Sequence, residues 1–511
     1  MPRTRPRRTA LRQGKETSTL STAAVASPAH RSGESHSEGF CAPSHRPWIL
    51  TAAVLASAMG FIDGSVVSIA LPAMRDGLGA SLTQALWINN AYLLPLSALI
   101  LVGGALGDRY GVAKVFGAGI AVFVVASAVT AIAPNPELLI GSRAAKGIGA
   151  ALMVPGSLAI IAKAYPKAER GKAIGIWAAS SAVTTALGPV LGGAALTYIG
   201  DWAWRAIFAL NVPLGAATLW MLWAKVGADK PSDEGAVDWL GGALATLALG
   251  LGAWALTGLQ QEETAVPIWL LAAGSAATFA AFLLREARAS HPMVPLKLFR
   301  SVPCAAANLA TLLLYFALGA VLFYLPQVVI AGWGRSELEI SLIFIPFSAL
   351  MAVLGPVAGR MADRIGPGLP IAGGSALVAV SFAGLALTIG MQSFWGVVLP
   401  LITVMGLGMA FVVSPLSTAV MGAVRDEQTG TASGINNAVS RMANLIAVAA
   451  MGAVAALIYQ ANASGGSFGE TGADGAAMNA GFAAVAWITA ALSAAAAAVA
   501  FFGIPKEGSS D

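Results

Sequence analysis

Charge is what this chain has least of. Asp, Glu, Lys and Arg make up 11% of its 511 residues, under half of the roughly 25% usual in a soluble domain. A water-facing surface needs more, so a soluble globular fold is excluded. Cysteine is nearly absent: Cys41 and Cys304 are the only two, which excludes a disulfide framework and a cysteine-based zinc centre. The four histidines, His30, His36, His45 and His291, all fall in polar segments. A membrane-buried histidine metal site or proton relay is excluded with them. No metal and no cofactor is expected, and no Ser/His/Asp or metal-ligand constellation supports an enzyme.

What is there is apolar: 57% of the residues by the A/V/I/L/M/F/W/Y/C count. Crossing about 30 Å of hydrocarbon takes about 20 apolar residues. Fourteen such segments can be marked, near 48–72, 85–106, 113–133, 138–162, 173–199, 205–224, 236–258, 266–284, 303–330, 338–358, 368–390, 394–420, 430–459 and 478–503. Lipid cannot satisfy open backbone groups, so each is expected to be a helix. The Ala, Leu and Gly content suits helices better than the alternating strands of a membrane barrel. The expected fold class is an all-α polytopic membrane protein.

Basic residues collect in cytoplasmic segments. With the N-terminus inside, 24 of the 30 Lys and Arg lie on the cytoplasmic side. Only Arg75, Arg205 and Arg335 fall outside, and Arg143, Lys146 and Arg441 remain for the membrane core. Both termini are therefore expected to be cytoplasmic, in a cell (inner) membrane. The net charge of +5 follows from topology, and no nucleic-acid partner is implied. Residues 1–46 are rich in Ser, Arg, His and Pro with no apolar run; they read as a disordered, solvated tail and not as a cleavable signal peptide.

The chain also repeats itself. GALGDRYG places Gly104, Asp108, Arg109 and Gly111 after the second span, and GRMADRIG places Gly359, Asp363, Arg364 and Gly366 after the tenth, 255 residues later. The first and ninth spans begin with the same offset. Helices 1–6 and 9–14 are thus two copies of one unit, and helices 7 and 8 an inserted pair. The expected organisation is a tail over 1–46, a six-helix bundle over 47–224, the inserted pair with flanking loops over 225–302, a second bundle over 303–504 and a short tail over 505–511. Repeats of this kind belong to transporters that rock two bundles about a midplane site.

Four motifs make the sequence resemble the major facilitator superfamily, specifically its fourteen-helix drug:proton antiporter branch, over residues 48–503. These are Asp63 to Pro72 in helix 1, the Gly104 to Lys114 loop, Arg143-Ala144-Ala145-Lys146-Gly147 in helix 4, and Gly188-Pro189-Val190-Leu191-Gly192-Gly193 in helix 5. Trp204-Arg205-x-x-Phe208-x-x-Asn211-x-Pro213, Asp238-Trp239 and Thr429-Gly430 to Asn437 also look like this branch. Two departures stand out: Val112 and Ala113 interrupt the basic run of the loop, and Lys146 replaces the usual Gln. The resemblance implies two six-helix bundles with pseudo-twofold symmetry, and proton-coupled antiport of amphipathic small molecules. An uptake permease or facilitator of the same fold is the alternative. The proton gradient would be the energy source, membrane lipid the surroundings and the monomer the working unit.

Within that frame Asp63, the only acid well inside a span, is expected either to couple protons or to serve as a structural partner of Arg143. Arg143 takes the family's proton-coupling role by resemblance. Lys146, three residues on and so on the same helix face, either joins it or snorkels to the cytoplasmic face. In helix 5, Gly188 and Gly192 form a bare face for close packing and Pro189 bends the helix, with Gly193 completing the motif. Asp108 and Asp363 are expected as gating pivots, each capping a helix of the opposite bundle in one state and releasing it in the other. Polar and aromatic residues inside spans nominate the substrate cavity: Trp87, Asn90, Tyr92, Trp177, Asn308, Tyr315, Tyr324, Gln327, Asn436 and Arg441. One deep acid against three deep bases predicts a preference for neutral or anionic cargo over quaternary ammonium compounds.

Overall fold

A computed structural model describes residues 40–227, 238–259, 266–290, 292–424 and 428–506. The expected tail up to 46 falls mostly outside the described residues, as do Lys230, His291, Arg425 and the last five residues. Fourteen described helices are long and apolar enough to cross a membrane, and no strand occurs among the described residues. In the first half they are α1 (Pro43–Leu78), α2 (Leu82–Tyr110), α3 (Val112–Ala131), α4 (Pro136–Ala164), α5 (Glu169–Ile199) and α6 (Ala203–Lys225). The inserted pair is α7 (Trp239–Gly258) and α8 (Ile268–Arg288). The second half is α9 (Val302–Gly332), α10 (Glu337–Ile365), α11 (Gly368–Met391), α12 (Phe394–Gly422), α13 (Thr431–Asn462) and α14 (Gly475–Gly503).

Local chemistry sets the ends. Ser81 and Gln84 form a reciprocal capping box at the start of α2, and Asn135 Oδ1 accepts from Leu138 N at 2.9 Å to start α4. Gly111 (φ 100°) closes α2 and Gly366 (φ 77°) closes α10. These are the glycines of the two repeated strings, each at a turn that a side chain would strain. Several spans outrun their sequence estimates. Pro72 does not stop α1, which continues to Leu78 and ends at Gly79, because neighbouring helices tolerate a proline inside a membrane span. Arg75, expected in an external loop, therefore lies in the last turn of α1, 7% exposed. Likewise α8 reaches Arg288 and buries Glu286.

The two described ends share one face. Gly227, after α6, donates to the Phe40 carbonyl at 2.8 Å, and Gly368, the first residue of α11, donates to the Pro505 carbonyl at 3.0 Å. This is the terminal face. Tryptophans exposed near both helix-end levels, such as Trp48 and Trp223 on one side and Trp202 and Trp395 on the other, form the belts expected at lipid–water boundaries. The multi-pass membrane architecture follows.

The halves meet at the end away from the terminal face, and Leu101 of α2 also packs against Gly434 and Ile435 near the start of α13. Residues Val66 to Met74 of α1 join one apolar cluster with α9 to α14, whereas Ile49 to Met59 pack with α2, α3 and α4. Arg75 Nη1 donates to the Phe468 carbonyl at 2.9 Å and Nη2 to Ser467, while Thr471 bonds Asp76. Thr197 Oγ1 of α5 donates to Glu337 Oε2 at 3.2 Å and accepts from Leu338 N at 3.1 Å. The end opposite the terminal face is closed by these bonds between the halves.

Candidate functional site

Asp63 is 1% exposed, and Arg143 and Lys146 are wholly buried. One carboxylate oxygen of Asp63 pairs with Arg143 and the other with Lys146. Arg143 Nε also donates to the Ile88 carbonyl at 2.9 Å. Aromatic rings complete the enclosure. Arg143 lies 4.5 Å from the Tyr92 ring centre, and Lys146 lies 4.3 Å from Phe208 and 4.8 Å from Phe123. Such faces stabilise desolvated cations.

Glycines bring these groups together. A Cβ on Gly147 would run into the Tyr92 carbonyl, so α4 crosses α2 closely where Arg143 lies against the Tyr92 ring. From the other side, a Cβ on Gly188 would lie 3.1 Å from Ile62, and one on Gly192 would collide with Val66. The glycine face of α5 thus holds the stretch of α1 that carries Asp63. Gly193 points elsewhere: a Cβ there would lie 2.6 Å from the Glu337 carbonyl of α10. Pro189 is buried between them.

Beside this group lies a cavity of about 840 Å³. Its deep end is lined by Ser57, Gly60, Tyr92, Trp177, Asn437 and Arg441, and its outer end by Gly104, Asp108, Asp238, Pro292 and Met293. It extends toward the terminal face, while the opposite end is closed. Trp177 Nε1 donates to Ser57 Oγ at 2.8 Å, and the buried Nε of Arg441 has no hydrogen-bond partner. Asp63 and Lys146 do not line the cavity. Tyr92 touches both compartments, with its ring on Arg143 and its surface in the cavity.

The sequence model described as the Major Facilitator Superfamily matches residues 53–448. The chain belongs to the major facilitator superfamily. It is 32% identical over 421 residues to the tetracenomycin C resistance and export protein of Streptomyces glaucescens, covering 80% of this chain and 76% of that one. It is 31% identical over 408 residues to the methylenomycin A resistance protein of Bacillus subtilis, covering 80% and 87%. Among solved structures, a bacterial homologue of the human lysosomal transporter Spinster, in an inward-facing and unoccupied conformation, superimposes with a TM-score of 0.63 at 17% identity, covering 90% and 97% of the chains. The inward-open xylose transporter XylE from E. coli gives 0.61 at 16%, with the same coverage. These structures share the fold. The protein is a multi-pass transporter of this superfamily, from its drug and antibiotic efflux branch.

In this superfamily member the sequence-nominated residues divide. Asp63 and Arg143 meet, and Lys146 joins them. The snorkelling alternative for Lys146 is corrected, because its ammonium is spent on Asp63 at full burial. Of the ten nominated cavity residues, Tyr92, Trp177 and Arg441 line this cavity. Tyr324 does not: its hydroxyl donates to the Val448 carbonyl at 2.5 Å inside the second-half core. Asn436 donates to Asn308 and Thr311, tying α13 to α9. Gln327 is buried and donates to Phe323 within its own helix. Trp87 and Tyr315 pack against the two apolar clusters, and Asn90 is buried without a hydrogen-bond partner.

The repeated loops are not equivalent either. Gly104 and Asp108 line the cavity's outer end, and the charge felt by Asp108 is that of Lys163 in its own half. Arg109 lies over the Tyr110 ring at 5.5 Å. Asp363 and Arg364 are exposed, and Gly359 faces Ser414 of α12. Sequence reasoning missed Phe123 as a partner of the buried cations. Phe208 was visible only as part of a branch string.

Proposed function

We propose that this transporter exports amphipathic small molecules in exchange for protons by alternating access, with Asp63, Arg143 and Lys146 as the coupling group and the Tyr92–Trp177–Arg441 cavity as the substrate site. The single observation that carries this reading is the buried Asp63 group packed directly behind a cavity wall. Intramembrane ionisable residues are costly and mark function by default. Tyr92 gives the two compartments a shared wall, so cargo on one side and charge on the other sense each other. The terminal face, with its basic loops, is the cytoplasmic face, and the arrangement described is the inward-facing one. The relatives named for resistance and export support the direction.

The cavity favours cargo that is neutral or anionic. Asp63 is occupied by two cations behind the wall, while Arg441 sits in the deep lining with an unpartnered Nε. The acids Asp108 and Asp238 lie only at the outer end. The test uses energised cells expressing the protein and a compound panel, followed by matched neutral, anionic and cationic substrates in vesicles. Lower accumulation that disappears when the proton gradient is collapsed is expected, with the cationic member exported least. Higher accumulation in expressing cells would contradict export, and strongest export of dications would contradict the cargo preference.

A further inference from the structure

The buried group holds one carboxylate and two cations in a closed volume, and that count decides which member handles a proton. We propose that Lys146, and not Asp63, takes up and releases the exchanged proton. The proposal rests on the reading of the transporter as proton-coupled and names the group that does the coupling.

With all three members ionised the group carries one net positive charge. Protonating Asp63 would raise this to two, whereas releasing a proton from Lys146 brings it to zero. The cost of holding net charge away from water grows with its square, so the accessible pair of states is the one that differs at Lys146. Arg143 cannot serve, because a guanidinium keeps its proton in proteins. Asp63 keeps a cation on each oxygen in one state and on at least one in the other.

The surroundings do not offset the excess. Besides Asp63 on α1 and Arg143 on α4 itself, α2 contributes the neutral phenol Tyr92, and α3 and α6 contribute Phe123 and Phe208. Within its span α5 has no titratable group between Lys172 and Tyr198. Arg441 of α13, within Coulombic reach of Tyr92, adds positive charge. In the step itself one N–H bond of the Lys146 ammonium breaks, its electron pair stays on nitrogen, and the proton goes to a water admitted to the group when the wall at Tyr92 opens during reorientation. Uptake after reorientation reverses this from the other side.

The variant that separates the two carriers is Lys146→Arg, which keeps the charge and removes the exchangeable proton. Reconstituted vesicles report two activities: counterflow exchange of a labelled substrate, which needs no net proton movement, and accumulation driven by an imposed proton gradient. Lys146→Arg should retain exchange while gradient-driven accumulation falls by roughly tenfold or more. Unchanged gradient-driven accumulation would overturn the assignment to Lys146 and leave proton coupling standing. A wild type without any response to the gradient would overturn both. Infrared difference spectra of the wild type across the pH range of transport give a second readout that needs no arginine variant. Loss of a lysine ammonium signal that is absent in Lys146→Gln is expected. A protonated-carboxyl signal that vanishes in Asp63→Asn would overturn the proposal even if Lys146→Arg fails to assemble.

Discussion

The two copies of the six-helix unit share packing and divide chemistry. At the 255-residue offset that aligns Asp108 with Asp363, Asp63-Gly64 aligns with Leu318-Gly319. The glycine is kept and the acid is not. The first half buries an Asp, an Arg and a Lys in contact. The second half is joined internally by neutral bonds, Asn436 to Asn308 and Thr311, and Tyr324 to the Val448 carbonyl. It contributes Arg441 to the shared cavity. Duplication thus supplies a pair of bundles that can rock against each other, and the proton chemistry needs to reside in one of them only. Substitutions at corresponding places should therefore have unequal effects.

The largest effect is expected at Asp63. Asp63→Asn strands two buried cations, and removing one partner of a buried pair costs about 3–5 kcal/mol. A clear drop in the melting temperature of the purified protein is expected, with part of it regained in the double variant Asp63→Asn with Lys146→Gln. Leu318→Asn, the mirror change, should cost less. Equal losses at the two sites would break the comparison.

Next comes helix packing. Gly192→Leu drives a side chain into Val66 on the helix that carries Asp63, and transport should fall by about tenfold or more. A side chain on Gly319 would meet the Asn444 amide, which can turn away, and the Asn444 Cα at 3.2 Å, which needs only a small shift, so the single methyl of Gly319→Ala should lower efflux only a few-fold. Vesicle transport rates normalised to protein amount decide the ratio.

The loops come third. Gly111→Val forces a β-branched residue into φ 100° beside Asp108 at the cavity's outer end. It should slow transport several-fold while leaving equilibrium substrate binding within about twofold. Gly366→Val carries similar strain away from this cavity and should slow transport less. The smallest effect is expected for Asn436→Ala, which removes bonds to Asn308 and Thr311. Interhelical polar contacts average about 0.6 kcal/mol, so thermal stability should dip slightly and cargo preference stay unchanged.

Much of this was legible in the sequence because lipid imposes length and apolarity on every span. Fourteen segments, two repeated strings and the Asp63, Arg143 and Gly188 motifs are one-dimensional signals. Faces were harder to read. A helix that is apolar all round gives no amphipathic stripe to say which way a polar residue points, so Tyr324, Asn308 and Asn436 were nominated for the cavity although their polar atoms are used in packing. Lys146 was readable as sharing a face with Arg143 from its spacing of three, but not as bonded to Asp63, which lies 83 positions away. Arg75 lies on the side away from the terminal face, as expected, but inside the last turn of α1, because the apolar run ends near Pro72 while the helix continues to Leu78.

The central claim is that the Asp63 group couples proton movement to cargo while the cavity binds cargo on its own. The most direct measurement follows substrate flux and proton flux together in vesicles carrying wild type or Asp63→Asn, alongside equilibrium substrate binding. The expected result is coupled fluxes in the wild type, and in Asp63→Asn substrate binding with no coupled proton flux. Substrate-dependent proton flux in Asp63→Asn at the wild-type ratio would contradict the claim.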